Sequence, residues 1–314
     1  MTAQRWQKLG RVYAPDPNVA QRKLYGILPT PQYLAGQDAI RVYFAATGDD
    51  RVGRVFAMTV DAADPTRVLE PAGAALLQPG PPGAFDDCGA NPSCIVTIGG
   101  VPHLYYIGYQ RSVVSPYLLF TGVAVSRDGA VFERHSNVPV FDRTTSEYII
   151  RSAPSVHEED GAYRAWYVSA SGWEQMTEGI FQGRMMPVYV IRHARSRDGL
   201  HWIADEDVCI GPRNGDEFGF GRPWVIRDGN RWRMYFSRRT RSTPYRIGCA
   251  ESDDGLHWER RDEDVQLDVS SSPDGWDSEM VCYAAVITTK HGTLMFYNGN
   301  RNGETGFGCA RLLI

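Results

Sequence analysis

Apolar residues along the chain fall in short runs cut by polar turns, and one run recurs. It reads Ile40-Arg41-Val42-Tyr43-Phe44, then His103-Leu104-Tyr105-Tyr106-Ile107, Arg164-Ala165-Trp166-Tyr167-Val168, Arg233-Met234-Tyr235-Phe236 and Leu294-Met295-Phe296-Tyr297. A tyrosine is expected at one register in all five. Each run is followed by a strand of small residues centred on Ala57, Ala124, Ala194, Ala250 or Ala310. Runs this short, rich in aromatic and β-branched residues and bounded by turns such as Gly99-Gly100, Asp160-Gly161 and Asp228-Gly229, predict strands rather than helices.

The copies add two further strands. Ser196-Arg197-Asp198-Gly199-Leu200-His201-Trp202 and Ser252-Asp253-Asp254-Gly255-Leu256-His257-Trp258, with a weaker version from Ser126 to Phe132, read as tight turns into a fourth strand. These Asp, His and Trp residues are expected to be structural. A first strand precedes each aromatic one and is marked by Pro31, Pro92, Pro154, Pro223 and, in the last copy, Ala284. The repeat therefore predicts an all-β, five-bladed β-propeller of four-stranded antiparallel blades. Its blades span roughly 24–70, 85–140, 147–210, 216–268 and 276–314. The last copy lacks an edge, which the segment 5–13 is expected to supply, closing the ring of a single domain over 1–314.

Composition narrows the partners. The 314 residues carry 33 Lys and Arg against 37 Asp and Glu, a net charge of −4, with 43% hydrophobic residues. That balance disfavours phosphate-backbone binding, so nucleic acid is not an expected partner. No apolar stretch is long enough to span a bilayer and the segment Met1–Lys8 has no apolar signal-type core, so a cytoplasmic protein without a membrane partner is expected. The cysteines Cys88, Cys94, Cys209, Cys249, Cys282 and Cys309 form no C-x-x-C pair and read as free thiols.

The five copies, the Ser-x-Asp-Gly-x-x-Trp turn and the aromatic second strand resemble the five-bladed β-propeller glycosidase superfamily, including the arabinanase/β-xylosidase, invertase/levansucrase and mannoside-phosphorylase-like families. The resemblance covers nearly the whole chain and implies carbohydrate chemistry at the propeller axis. In hydrolytic members an aspartate often stands directly before the first-strand proline. Here that place holds Thr30, Asn91, Ala153, Arg222 and Tyr283, so a hydrolase triad does not carry over. Asn91-Pro92 and the run from Gly122 to Gly129 look more like the phosphorylase segment.

In such a blade, the entry to the first strand and the loop between second and third strands share one face. That face holds the long loops 109–117, 169–186, 238–241 and 298–302. Acids cluster at the entries: Asp86 and Asp87, Glu147, Asp216 and Glu217, Asp277 and Glu279. Glycosyl cleavage needs one protonated and one ionised carboxyl group. Asp87, Glu147, Glu217 and Glu279, each from a different one of four blades, are the catalytic candidates. The competing reading is that such acids cap turns or pair with arginines.

The same face offers Asp86, Asn91, Arg111, Arg151, Trp173, Arg222, Arg239, Tyr283, Asn298 and Arg301 as substrate-binding candidates. Arginine forks suit carboxylate or phosphate, and an aromatic such as Trp173 suits a sugar face. The expected ligand is a small carbohydrate or anionic sugar derivative. No cofactor or metal is expected; inorganic phosphate is admitted as a co-substrate, and an axial cation near His157 or His193 is the lesser alternative. The reading is a carbohydrate-active enzyme cleaving or transferring a glycosyl bond by carboxylate acid/base chemistry. Its rivals are a non-catalytic sugar- or protein-binding propeller and a different hydrolase or lyase on the same scaffold.

Overall fold

The structure, a computed structural model, describes residues 4–127, 129 and 131–313. Strands dominate and follow one another as antiparallel meanders. The first runs through Leu24–Leu34, Ala39–Thr47, Arg54–Asp61 and Val68–Glu70; the second through Ala90–Ile98, Val101–Gln110, Leu118–Val125 and Glu133–Arg134. The third comprises Ile150–Glu159, Ala162–Ala170, Val190–Ser196 and Ile203–Ile210, and the fourth Glu217–Asp228, Arg231–Thr240, Arg246–Ser252 and Glu259–Arg260. In the last, Cys282–Thr289, Gly292–Asn298 and Phe307–Leu312 are joined by Gln4–Tyr13, which pairs antiparallel with Phe307–Leu312 from Trp6–Leu312 to Tyr13–Phe307. Ile150 and Arg151 also pair in parallel with Leu119 and Phe120, which fuses the second and third meanders into one sheet.

The second strand of each meander is buried along most of its length, as in Ala39–Thr47 and Ala162–Ala170. Its side chains meet neighbouring sheets on both faces, which is why the pattern there is continuously apolar rather than alternating. Trp166 is fully buried, with Trp232 at 5.0 Å and Trp258 at 6.0 Å between ring centroids.

The Ser-x-Asp-Gly turns explain themselves bond by bond. Asp198 Oδ1 accepts from the Leu200 and His201 amides at 2.8 Å each, and His201 Nδ1 donates to Asp198 Oδ2 at 2.7 Å. Ser196 Oγ accepts from the Gly199 amide at 2.9 Å. Gly199 has φ +74°, and a Cβ there would stand 2.8 Å from the Tyr105 hydroxyl. That hydroxyl donates to the Gly199 carbonyl at 2.5 Å, joining the third meander to the second. The Ser252–Trp258 turn repeats the arrangement, its Gly255 carbonyl accepting from Trp166 Nε1 at 2.7 Å. In the weaker copy, Asp128 and Ala130 lie outside the described residues.

The tyrosine register needs correcting. Tyr106, Tyr167 and Tyr297 stand two residues beyond the position opposite the third-strand alanine. In the fourth meander Met234 pairs with Ala250, so Phe236 occupies that place and Tyr235 lies one residue earlier, donating to Gln4 Oε1 at 2.7 Å. In the first, Tyr43 lies directly opposite Ala57. A one-residue slip turns a side chain to the other face of its strand, so these two tyrosines do different work.

The five first strands touch one another in a cycle: Leu24–Leu34 contacts Ala90–Ile98, which contacts Ile150–Glu159, then Glu217–Asp228, then Cys282–Thr289, and back to Leu24–Leu34. Each carries a register irregularity near its marker, for example between Ser152 and Ser155 and between Gly221 and Trp224. Bulges re-aim side chains, and these aim the residues before the markers inward.

Candidate functional site

Where the first strands meet there is a cavity of about 400 Å³, within the usual range for small-ligand sites. Four of the five residues that precede a marker line it: Asn91, Ala153, Arg222 and Tyr283. The fifth, Thr30, accepts a hydrogen bond from Arg222 Nη2 at 2.8 Å. Ala153, Arg222 and Tyr283 have φ of +54°, +29° and +54°. Backbone strain of this kind in residues with side chains costs about 1–3 kcal/mol each and gathers at functional sites.

Arg222 is almost completely buried, and all its Nη contacts are to protein acceptors. Nη1 donates to the carbonyls of Pro29 at 2.8 Å and Tyr283 at 3.3 Å; Nη2 donates to Thr30 Oγ1 and to the Ser93 carbonyl at 2.9 Å. It thereby ties its own strand to three other first strands. Burial draws the guanidinium down to about 9, which still leaves it charged at neutral pH.

Arg239 is buried to 1% exposure and differently placed. It stacks on Tyr189 at 4.3 Å and Phe218 at 4.6 Å, with Tyr245 at 5.7 Å. Nη1 donates to the Pro187 carbonyl at 3.2 Å, while Nε has no partner. Among the described residues neither Arg222 nor Arg239 has a carboxylate partner, and the cavity lining contains no Asp or Glu. Arg184, exposed, adds a third guanidinium at the wall.

Phenols complete the lining: Tyr109, Tyr117, Tyr189, Tyr245 and Tyr283. The Tyr117 and Tyr189 hydroxyls are 3.1 Å apart. Burial raises the phenols of Tyr189 and Tyr283 well above their ordinary value and that of Tyr245 in the same direction, so they are neutral hydroxyls at physiological pH. Ser152 Oγ, buried and lining the cavity, has no hydrogen-bond partner. The site is thus a largely apolar pocket, walled by Ile27, Leu28, Ile107, Leu119, Ile150 and Val168 as well as by the aromatic rings, into which guanidinium groups and phenol hydroxyls are set.

The structure does not gather the catalytic candidates there. Glu147 is buried, receives the Tyr167 hydroxyl on both oxygens at 3.0 and 3.1 Å, and lies 3.2 Å from Arg151 Nε. Glu217 takes a two-pronged Arg260 fork at 2.8 Å on each oxygen and the Arg213 amide at 3.0 Å. Against burial, which alone would raise it, these donors hold the Glu217 carboxyl below its ordinary value, so it is ionised and occupied. Asp87 Oδ2 caps the Gly83 amide at 3.0 Å. Glu279 is half exposed and lines a separate cleft, with Arg301 Nε 3.9 Å away. The expectation that these four acids face one pocket is corrected: arginine pairing and turn capping claim Asp87, Glu147 and Glu217.

The binding candidates divide. Asn91, Arg222, Arg239 and Tyr283 line the cavity. Asp86 is buried against Arg134 Nε at 2.8 Å and the Tyr106 hydroxyl at 3.0 Å. Arg151 lies between Glu147 and the rings of Phe141 and Tyr167. Asn298 holds the first meander through the Leu28 amide and the Gly26 carbonyl. Trp173 stands edge-on behind Tyr117 at 5.1 Å, Arg111 is exposed outside the lining, and Arg301 belongs to the cleft. His157 donates to the Val225 carbonyl and His193 bonds Asp205 and Arg164, so both ring systems are committed away from the cavity. Among the lining residues that sequence reasoning did not select, the polar ones include Ser152, Tyr109, Tyr189, Tyr245, Arg184 and Asn302.

No family model matches the chain. It is 38% identical over 307 residues to the uncharacterized protein Rv1502 of Mycobacterium tuberculosis strain H37Rv, covering 98% of this chain and 99% of that one. The chain belongs to the Rv1502 family. The uncharacterized protein MT1551 of M. tuberculosis strain CDC 1551 matches with the same identity and coverage. Among solved structures, a BT0996–RGII complex aligns with a TM-score of 0.72 at 17% identity over 99% of this chain and 92% of the other. A GH130 structure, from a family of mannoside phosphorylases containing glycoside hydrolases that target β-1,2 mannosidic linkages in Candida mannan, aligns at 0.72 with 14% identity over 98% and 94%. The GH32 β-fructofuranosidase BmSUC1 of Bombyx mori aligns at 0.63 with 13% identity over 98% and 61%. At these identities the likeness is one of fold: the chain shares the propeller-type scaffold of glycoside hydrolases.

Proposed function

We propose that the protein is a carbohydrate-active, five-bladed propeller, a single domain closed by its N-terminal strand, that captures a small anionic sugar derivative in the cavity where the first strands meet. One observation carries this reading: Arg239, buried against aromatic rings, faces the cavity with no carboxylate among the described residues to neutralise it. An uncompensated buried charge is costly, and a ligand carboxylate or phosphate would supply the missing counter-charge. The phenols and Ser152 Oγ suit sugar hydroxyls, and the glycoside hydrolases that share the fold act on carbohydrates. The setting is cytoplasmic and no metal takes part.

The lining without acids favours capture over carboxylate-pair chemistry at the axis itself. Glu279, unlocked in the adjacent cleft, is the acid that would protonate the leaving oxygen of a bond broken there, with inorganic phosphate, in place of a second carboxylate, as the attacking co-substrate. The test is calorimetric titration of uronic acids, sugar phosphates, nucleotide sugars and their neutral counterparts into wild type, Arg239→Met and Arg239→Lys. Anionic members should bind and neutral ones fail. Arg239→Met should weaken binding by about 1.5–3 kcal/mol, the worth of a hydrogen bond to a charged group, and Lys should restore only part, lacking the fork. Equal affinity for neutral and anionic members would overturn the reading. Turnover of the same panel with and without phosphate, lost in Glu279→Gln, would separate an enzyme from a binder.

A further inference from the structure

Beside the axial cavity lies a wider cleft of about 700 Å³. The two share a wall. Asn300 and Arg301 line the cleft while Asn302, the next residue, lines the cavity. Arg301 and Asn302 both adopt left-handed backbone, with φ of 52° and 59°. Adjacent residues with side chains rarely take that conformation together, and here it turns their side chains to opposite sides of the loop. The Asn302 amide meets Met280 Sδ at 3.3 Å, and Asn300 Oδ1 accepts from the Glu279 amide at 2.8 Å, so the wall is fixed to the entry of the last first strand.

The cleft has the chemistry of a sugar platform. Trp276 is half-buried, resting on Tyr297 at 5.3 Å between centroids. Around it stand donors and acceptors that are near one another but not spent on one another. Arg301 is 3.9 Å from Glu279 and 3.7 Å from Glu304, both beyond hydrogen-bond length, and all three side chains are about half exposed or more. Interleaved carboxylates and guanidinium beside an indole offer both senses of hydrogen bond to vicinal hydroxyls, together with an apolar surface for the C–H face of a pyranose. The mixed signs give no preference for a second anion, in contrast to the cavity.

We propose that this cleft is a second carbohydrate subsite, taking a neutral sugar unit of the same ligand whose anionic unit occupies the axial cavity, with the linkage crossing the Asn300–Gly303 wall. The ligand is then an anionic oligosaccharide or glycoconjugate rather than a monosaccharide. This inference rests on the anionic-sugar reading of the cavity.

The experiment uses the full chain and an immobilised panel of acidic glycans, each anionic sugar presented bare and extended by one and two neutral units. Proteins are wild type, the surface double variant Arg301→Ala/Glu304→Ala, and Arg239→Met. At least one extended glycan should bind wild type tenfold or more tightly than its bare anionic unit. The double variant should lose that gain and keep the affinity for the bare unit, and Arg239→Met should lose both. A wild type indifferent to extension, or a gain that survives the double variant, overturns the subsite while leaving the cavity reading intact. Binding of the panel unchanged by Arg239→Met, or no binding of any anionic member, overturns the cavity reading and the subsite with it.

Discussion

The Tyr167 hydroxyl donates to both oxygens of Glu147, 20 residues earlier in the chain. The same separation joins Tyr106 to Asp86 and Tyr297 to Asp277. Each pair is completed by a cation: Arg134 for Asp86, Arg151 for Glu147, Lys8 for Asp277. The acid thus clamps the entry of a first strand onto the second strand of its own meander. Tyr167→Phe should cost about 1–3 kcal/mol in urea denaturation, because it strips a buried carboxylate of a donor, and should leave ligand affinity at Arg239 unchanged. A loss of affinity without loss of stability would return Glu147 to the site.

Arg222 is expected to be a structural hub with a minor role as a ligand donor. Arg222→Met removes four hydrogen bonds to buried acceptors and should destabilise the protein by roughly 3 kcal/mol or more. Arg222→Lys should recover a part, since three donors cannot reproduce the planar fork. The measurement is the urea midpoint at constant slope.

The strands, their order and the turn chemistry were legible because the recurring short apolar runs and the Ser-x-Asp-Gly signature are local. The cavity was half legible. The residues before the markers were visible as one set, and they are what the bulges aim inward, yet the acids a few residues earlier drew the catalytic reading. Whether a carboxylate is free or clamped depends on partners such as Arg260 for Glu217, 43 positions away, and no local pattern announces that distance. Tyr189 and Tyr245 were hidden for the same reason: each lies in an irregular segment before a third strand, and only the assembled sheets bring both rings onto Arg239.

The second Ser-x-Asp-Gly turn makes a pH prediction. The Asp254 carboxylate raises His257 above its ordinary value of 6.5, and the His257 ring and amide hold Asp254 below the carboxylate range. The imidazolium therefore supports the fold fully below the ordinary histidine value and loses that support as pH rises through its raised one. The carboxylate's support is present above its ordinary value and fades as pH falls toward its depressed one. Nuclear magnetic resonance titration should place the His257 midpoint above 6.5, and Asp254→Asn should return it there. His257→Gln should leave ligand affinity within a few-fold.

Deleting residues 1–13 should do more than expose an edge. It removes the partner of Phe307–Leu312, the Lys8 cation on Asp277 and the Gln4 acceptor for Tyr235. Thermal unfolding should fall by about 5 °C or more, as the loss of a few kcal/mol does for a chain of this size. An unchanged transition would contradict the pairing.

That strand also sets the order of events in the life of the molecule. Gln4–Tyr13 is synthesised before its partner Phe307–Leu312, with four complete meanders between them. During synthesis its hydrogen-bonding edge, with Trp6, Val12 and Tyr13 that the finished protein buries, has no native neighbour. A strand kept waiting in this way invites pairing with another nascent chain. The pairing of these two strands closes a contact of very long sequence separation, and the alternation of Arg5, Gln7 and Arg11 with the apolar positions supplies charge and polarity that oppose such mispairing while the strand waits.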